Sequence, residues 1–164
     1  MSTADIGTLQ RTPMGFEGQL TRQLDHDAVA VWRMLTDPLA MAQWLAPGSV
    51  EQRAGGTVHI DFADSGTVID SCVSAFEDGR LLAYSWSSGS EPKRPMRWEL
   101  VPANGGTRLT LTLQIPAQED AAKACAGFEG HLDMLAAALE GVPIKFPFQR
   151  FLQARGAYTE QLAG

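Results

Sequence analysis

Cysteine and histidine are scarce in this chain of 164 residues. The two cysteines, Cys72 and Cys125, and the three histidines, His26, His59 and His131, fit no zinc or thiol-redox spacing. No cofactor or metal is therefore expected, and a pair of free thiols suits a reducing cytoplasm. Positive charge is also short. Thirteen Lys and Arg against nineteen Asp and Glu leave a net charge of −6. Phosphate binding needs a basic face, so nucleic acid is not expected as a partner. The longest purely apolar run is Met134–Leu139. It falls far short of the ~20 residues of a membrane-spanning helix, so no membrane insertion is expected. No basic stretch leads into an apolar one at the N-terminus, so no secretory signal is expected. Catalytic signatures are missing as well: there is no Gly-x-Ser-x-Gly elbow, phosphate-binding glycine loop or dinucleotide fingerprint.

What is present is an ordinary globular mixture, 45% apolar and 20% charged, with sixteen glycines, nine prolines and four tryptophans. The length suits one domain. Its strongest pattern is alternation. Leu109, Leu111, Leu113 and Ile115 fall on one face of Thr107–Ile115, opposite Arg108, Thr110, Thr112 and Gln114. That period of two marks a strand with one buried face. Val58, Ile60 and Phe62 repeat it, as do Leu82, Tyr84 and Trp86, and Met96, Trp98 and Leu100. Phe16, Leu20 and Leu24 suggest a first strand from about Gly15. The gaps include Ala54-Gly55-Gly56, Asp64-Ser65-Gly66, Glu77-Asp78-Gly79 and Asn104-Gly105-Gly106, all of which tolerate positive φ. Short loops between alternating strands imply antiparallel hairpins, so residues 50–115 read as a six-strand meander. The longest connection, Ser87–Pro95, is polar.

Helices flank the meander. Asp25 or Asp27 can cap a helix through Leu35, and Asp37-Pro38 can open a second through Leu45. A longer helix is predicted from about Ala117 to Glu140, with Phe128, Leu132, Leu135 and Leu139 as its apolar stripe and Gly141 as its stop. A one-faced sheet must bury its apolar side, and this helix is the only element large enough to cover it. The chain divides into a flexible lead-in, 1–13, a domain, 14–141, and an aromatic tail, 142–164. The tail gathers Phe146, Phe148, Phe151 and Leu152, with a short helix expected over about Phe148–Arg155. These aromatics either pack back onto the domain or dock on a second subunit.

Several residues are candidates for a site. His131 shares the face of Phe128 and Leu135, which aims an imidazole at the sheet. It is a core histidine bonded to a strand, a polar contact in a ligand cavity, or an acid/base group. Trp86 and Trp98 point to the apolar side of the sheet and Trp44 ends the second helix; such aromatics fill cores or line pockets. Trp32 reads as helix packing. Gly127 and Gly130 cost the long helix about 1 kcal/mol each relative to Ala. Close backbone approach, room for a ligand or fraying would explain them. Asp61 and Asp64 read as solvated, while Asp70 shares a face with Val68, Cys72 and Phe76 and is a weak candidate for a pocket contact.

These residues also carry a resemblance. Val31-Trp32-Arg33-Met34-Leu35-Thr36-Asp37-Pro38 and Trp44-Leu45-Ala46-Pro47-Gly48, near the start, resemble the START/SRPBCC superfamily. Within it they resemble the group named after the activator of heat-shock protein 90 ATPase. Arg97-Trp98-Glu99-Leu100 and Gly105–Thr112 resemble the last two strands of that group, and Gly127–Gly141 its C-terminal helix. The resemblance spans roughly Phe16–Gly141. This chain has Phe128 where relatives often carry Trp, and Gln114 where they often carry His. The resemblance implies an α+β helix-grip fold: a curved antiparallel sheet of about seven strands around a long C-terminal helix, with two short helices after the first strand.

A small apolar ligand is the expected partner, bound in a cavity between sheet and helix. Trp44, Phe62, Trp86, Trp98, Phe128 and His131 are its expected lining. One alternative is a cyclase, dehydratase or hydrolase using the same cavity, with His131 as acid/base. Another is an interaction module, either a chaperone partner or a homodimer built through the tail.

Overall fold

The computed structural model describes residues 6–63 and 65–163. Among them are four helices and one sheet of eight strands, ordered β1-β2-β8-β7-β6-β5-β4-β3 and antiparallel throughout. In chain order these are β1 (Thr8–Thr12), β2 (Gly15–Leu24), α1 (Ala28–Thr36), α2 (Pro38–Trp44), β3 (Gly48–Val50), β4 (Thr57–Phe62), β5 (Thr67–Glu77), β6 (Leu81–Ser85), β7 (Pro95–Ala103), β8 (Gly106–Pro116), α3 (Ala121–Leu139) and α4 (Phe148–Ala163). This is the α+β helix-grip architecture, and the six-strand meander is β3 to β8. The β7–β8 hairpin turns on Asn104 and Gly105, both at positive φ, between the paired Ala103 and Gly106. An Asn-Gly pair is the sequence such a two-residue turn demands.

Local chemistry sets the helix ends. Asp27 caps α1 by accepting the Ala30 N–H at 2.9 Å. Pro38 opens α2, where its missing N–H costs nothing. Asp120 caps α3 by accepting the Lys123 N–H at 3.0 Å. That cap places the start of α3 at Ala121 rather than at Ala117. The inner face of the sheet then closes on α3: Leu20, Leu82, Leu111, Leu132 and Leu135 are all sealed from solvent.

Four expectations are corrected. The loose lead-in is, over residues 8–12, an edge strand paired along β2, with Leu9 buried; residues 1–5 lie outside the described ones. The sheet therefore has eight strands, and the two short helices follow the second. Asp70 is exposed, because Ile69 and Val73 take the inward positions of β5. A bulge between Val73 and Ala75 reverses the alternation, so reading back from Phe76 puts Asp70 on the wrong face. Asp61 is half-buried, and Asp64 lies outside the described residues. Finally, α4 runs eight residues beyond Arg155 to Ala163. It packs on α3 and β1, burying Arg150, Ala154 and Tyr158 and leaving Phe148 and Leu152 exposed.

Candidate functional site

An unbroken train of rings runs from the core to the surface. Trp44 meets Trp98 edge-on, with centroids 5.9 Å apart, and Trp98 meets Phe128 at 6.4 Å. Phe128 touches Trp86 at 5.2 Å, and Trp86 touches Phe62 at 5.9 Å. His131 closes the group, 6.1 Å from Phe62 and 6.4 Å from Phe128. Alternation in β4, β6 and β7 and the spacing of Phe128 and His131 on α3 aim these rings at one another.

They do not share one depth. Phe62, Trp86, Phe128 and His131 line an open cleft of about 600 Å³ between α3, the β4–β5 hairpin and the β6–β7 connection. Trp44 and Trp98 are only 1% exposed and lie below the cleft, as packed floor rather than wall. The Trp44 indole is satisfied there, donating to the Met34 carbonyl at 2.7 Å. The apolar space under the helix is therefore largely filled by the protein's own aromatics, and the usable volume is at the mouth. Trp32 stays in helix packing, edge-on to Phe76 at 5.9 Å.

His131 is held by one hydrogen bond, from Nδ1 to the Trp44 carbonyl at 2.9 Å. Its partner is thus the end of α2, not a strand. Burial pushes the ring's pKa below the usual histidine value, and the Trp44 carbonyl offsets only part of that. Burial therefore favours the neutral form of the ring. Among the described residues no carboxylate, hydroxyl or thiol bonds to it, so the second polar group that acid/base catalysis requires is not beside it.

The two glycines of α3 have separate causes. A Cβ on Gly130 would lie 2.6 Å from a ring carbon of Phe146, so this glycine admits the tail. Phe146 also lies tilted against His131, with ring centroids 5.3 Å apart. A Cβ on Gly127 would meet nothing within 4 Å, because Gly127 lines the cleft. Phe151 of α4 adds a further wall.

The rim is charged, and its arginine is paired. Arg94 grips Glu119 with two bonds, at 2.7 and 2.9 Å, and donates to the Trp86 carbonyl at 2.9 Å. The bond to Glu119 holds the guanidinium's pKa above its ordinary value. This fork ties the β6–β7 connection to the approach of α3.

Sequence reasoning missed a second cluster, on the other side of α3. Glu129 is fully buried. Its carboxylate receives Arg22 at 2.6 Å, the Gly7 N–H at 2.8 Å and the Tyr158 hydroxyl, with Arg150 at 3.6 Å. Asp133 pairs with the same two arginines, at 3.3 and 3.4 Å. Burial opposes the Arg22 charge, but Glu129 and Asp133 outweigh it and raise its pKa. Burial, followed by Glu129, also raises the pKa of Tyr158. The available signal was Arg22 on the inward face of Phe16, Leu20 and Leu24, with Glu129 and Asp133 four apart on a helix. Among the described residues no group of His, Cys, Asp and Glu is arranged to hold a metal. No helix there is long and apolar enough to cross a membrane.

A curved antiparallel sheet gripping a long helix, with an aromatic cleft at its mouth, defines a helix-grip protein. Residues 25–140 match the family described as activator of Hsp90 ATPase homolog 1-like protein, and the chain belongs to that family. Among solved structures it is similar to CalU16 from Micromonospora echinospora, with TM-score 0.79, 19% identity and 96% of each chain covered. It is also similar to DynU16, a protein of the dynemicin biosynthetic locus. There the TM-score is 0.70 and the identity 28%, over 77% of this chain and 48% of DynU16. A third is the Bordetella parapertussis protein encoded by gene BPP1335, with TM-score 0.70, 25% identity, and 99% and 96% covered. Among curated proteins none matches the sequence.

Proposed function

We propose that this protein binds a hydrophobic or aromatic small molecule in the cleft between α3 and the sheet. The observation that carries the reading is the division of the aromatics by depth. Trp44 and Trp98 close the core, while Phe62, Trp86 and His131 stay half-open, with buried Phe128 between them, around about 600 Å³. That volume is ordinary for a small-molecule site, which is typically ~300–1,000 Å³ with few polar groups. Proteins of this fold typically bind hydrophobic ligands, which supports the same reading.

Native mass spectrometry of the purified protein, before and after denaturation, is expected to show a co-purified organic molecule. A thermal-shift screen of aromatic and lipid compounds covers the case of an empty cleft. A ligand at a hundred times its Kd adds about 2.7 kcal/mol, or roughly 5–10 °C for a domain of this size. No bound molecule and no shift across the screen would sink the proposal.

A further inference from the structure

Resting on that reading of the cleft, the hydrogen bonding of His131 says what its occupant carries. A carbonyl only accepts, so the bond to the Trp44 carbonyl puts the ring proton on Nδ1. The other nitrogen, Nε2, is then a bare acceptor. It has no hydrogen-bond partner among the described residues. Nor is it sealed away, since the only partnerless buried side-chain nitrogen or oxygen there is Arg150 Nε. Nε2 is therefore reachable, on a residue that lines the cleft.

Its neighbours cannot satisfy it. The Phe62, Phe128 and Phe146 rings surround the imidazole at 6.1, 6.4 and 5.3 Å and offer no O–H or N–H. The guanidinium at the rim, Arg94, is spent on Glu119 and the Trp86 carbonyl. An apolar ligand pressed against these walls would strip water from Nε2 and leave it unpaired. A ligand that brings its own donor would not.

We infer that the cleft selects an aromatic ligand bearing a hydroxyl or N–H group that donates to His131 Nε2, and that His131 is its specificity-determining residue. A carbonyl or carboxylate at the same place would meet a lone pair with a lone pair. Ring and donor are read together: the aromatic walls hold the body of the molecule and the imidazole fixes its orientation.

Two probes with one ring system test this, 2-naphthol and 2-methoxynaphthalene, titrated calorimetrically into the full chain at pH 7. The wild type is expected to bind 2-naphthol about tenfold more tightly, the scale of one hydrogen bond with its alternative left unpaired. In His131→Asn the side-chain amide reaches the place of Nδ1 and can still donate to the Trp44 carbonyl, with nothing in place of Nε2. The preference should fall to about one there, with 2-methoxynaphthalene held within about twofold. His131→Phe fills the space with no nitrogen and should give the same ratio, so the test survives if one variant fails to fold. Equal binding of both probes by the wild type overturns the donor inference and leaves the cleft standing. A tenfold preference that persists in the variants also overturns it. If neither probe binds, the cleft reading fails and takes this inference with it.

Discussion

Toward β1, β2 and α4, helix α3 presents Cys125, Glu129 and Asp133. Toward the β4–β5 hairpin it presents Ala124, Gly127, Phe128 and His131. The first side is charged, ion-paired and shut, with only Arg150 Nε lacking a hydrogen bond among the described residues. The second is ringed by aromatics, carries its charges only at the rim, and is open. Glu129 alone joins three segments remote in sequence: Gly7 before β1, Arg22 on β2, and Arg150 with Tyr158 on α4. Directional bonds of this kind fix register, which greasy contact does not. The open side has only the Arg94–Glu119 fork at its rim, and among the described residues no group bonds to Nε2 of His131. One helix thus carries a buried ionic network on one flank and the proposed binding cleft on the other.

The largest expected effect comes from breaking the shut side. Glu129→Gln keeps the shape and leaves Arg22 and Arg150 with Asp133 as their only carboxylate. Removing one partner from a buried ionic cluster costs about 3–5 kcal/mol. Urea unfolding measures the loss. Cys125 reports where it falls: burial, helped by Glu129, pushes its thiol pKa up to about 12, so it should alkylate only when this side opens. Faster alkylation in Glu129→Gln is expected, with exposed Cys72 unchanged. A loss below about 1 kcal/mol would mean that apolar packing, not this cluster, holds the tail.

Gly130→Ala tests the seam between the two sides. The new methyl must displace Phe146, which overlaps it at 2.6 Å. Overpacking costs about 1–3 kcal/mol, and the better helix preference of Ala returns about 1, so a net loss of up to about 2 is expected. In a Phe146→Ala background the same change should stabilise the protein. Equal effects in both backgrounds would break the claim that this glycine exists to admit the tail.

The sequence made some of this contrast legible and hid the rest for identifiable reasons. Period-two alternation revealed the meander because one face of the sheet is buried and the other wet. Alternation reports a face, however, and not a depth. Trp98 and Trp86 both point inward, yet the first is sealed and the second half-open. Only the filling of the core by Trp44 and its neighbours separates them. β1 escaped because an edge strand with one buried leucine has no period to see. Asp70 was misplaced by a single bulged residue. The Glu129 cluster was hidden because charged residues are usually solvated, and burial of this one is decided by Arg22 and Arg150, more than a hundred residues apart in sequence.

The smallest effect is the sharpest test of openness. Gly127 and Gly130 sit three apart on one helix, and the same substitution should act on them with opposite sign. A methyl at Gly127 meets no atom within 4 Å, so Gly127→Ala should simply gain about 1 kcal/mol of helix preference. For a domain of this size that is roughly 2–4 °C in Tm. The same methyl projects into the cleft and should weaken binding of an aromatic probe such as 2-naphthol. Stability that rises while affinity falls is what a glycine kept for a ligand gives. A loss of stability at Gly127 would mean that the cleft closes in solution, and the open flank of α3 would then be as shut as the other.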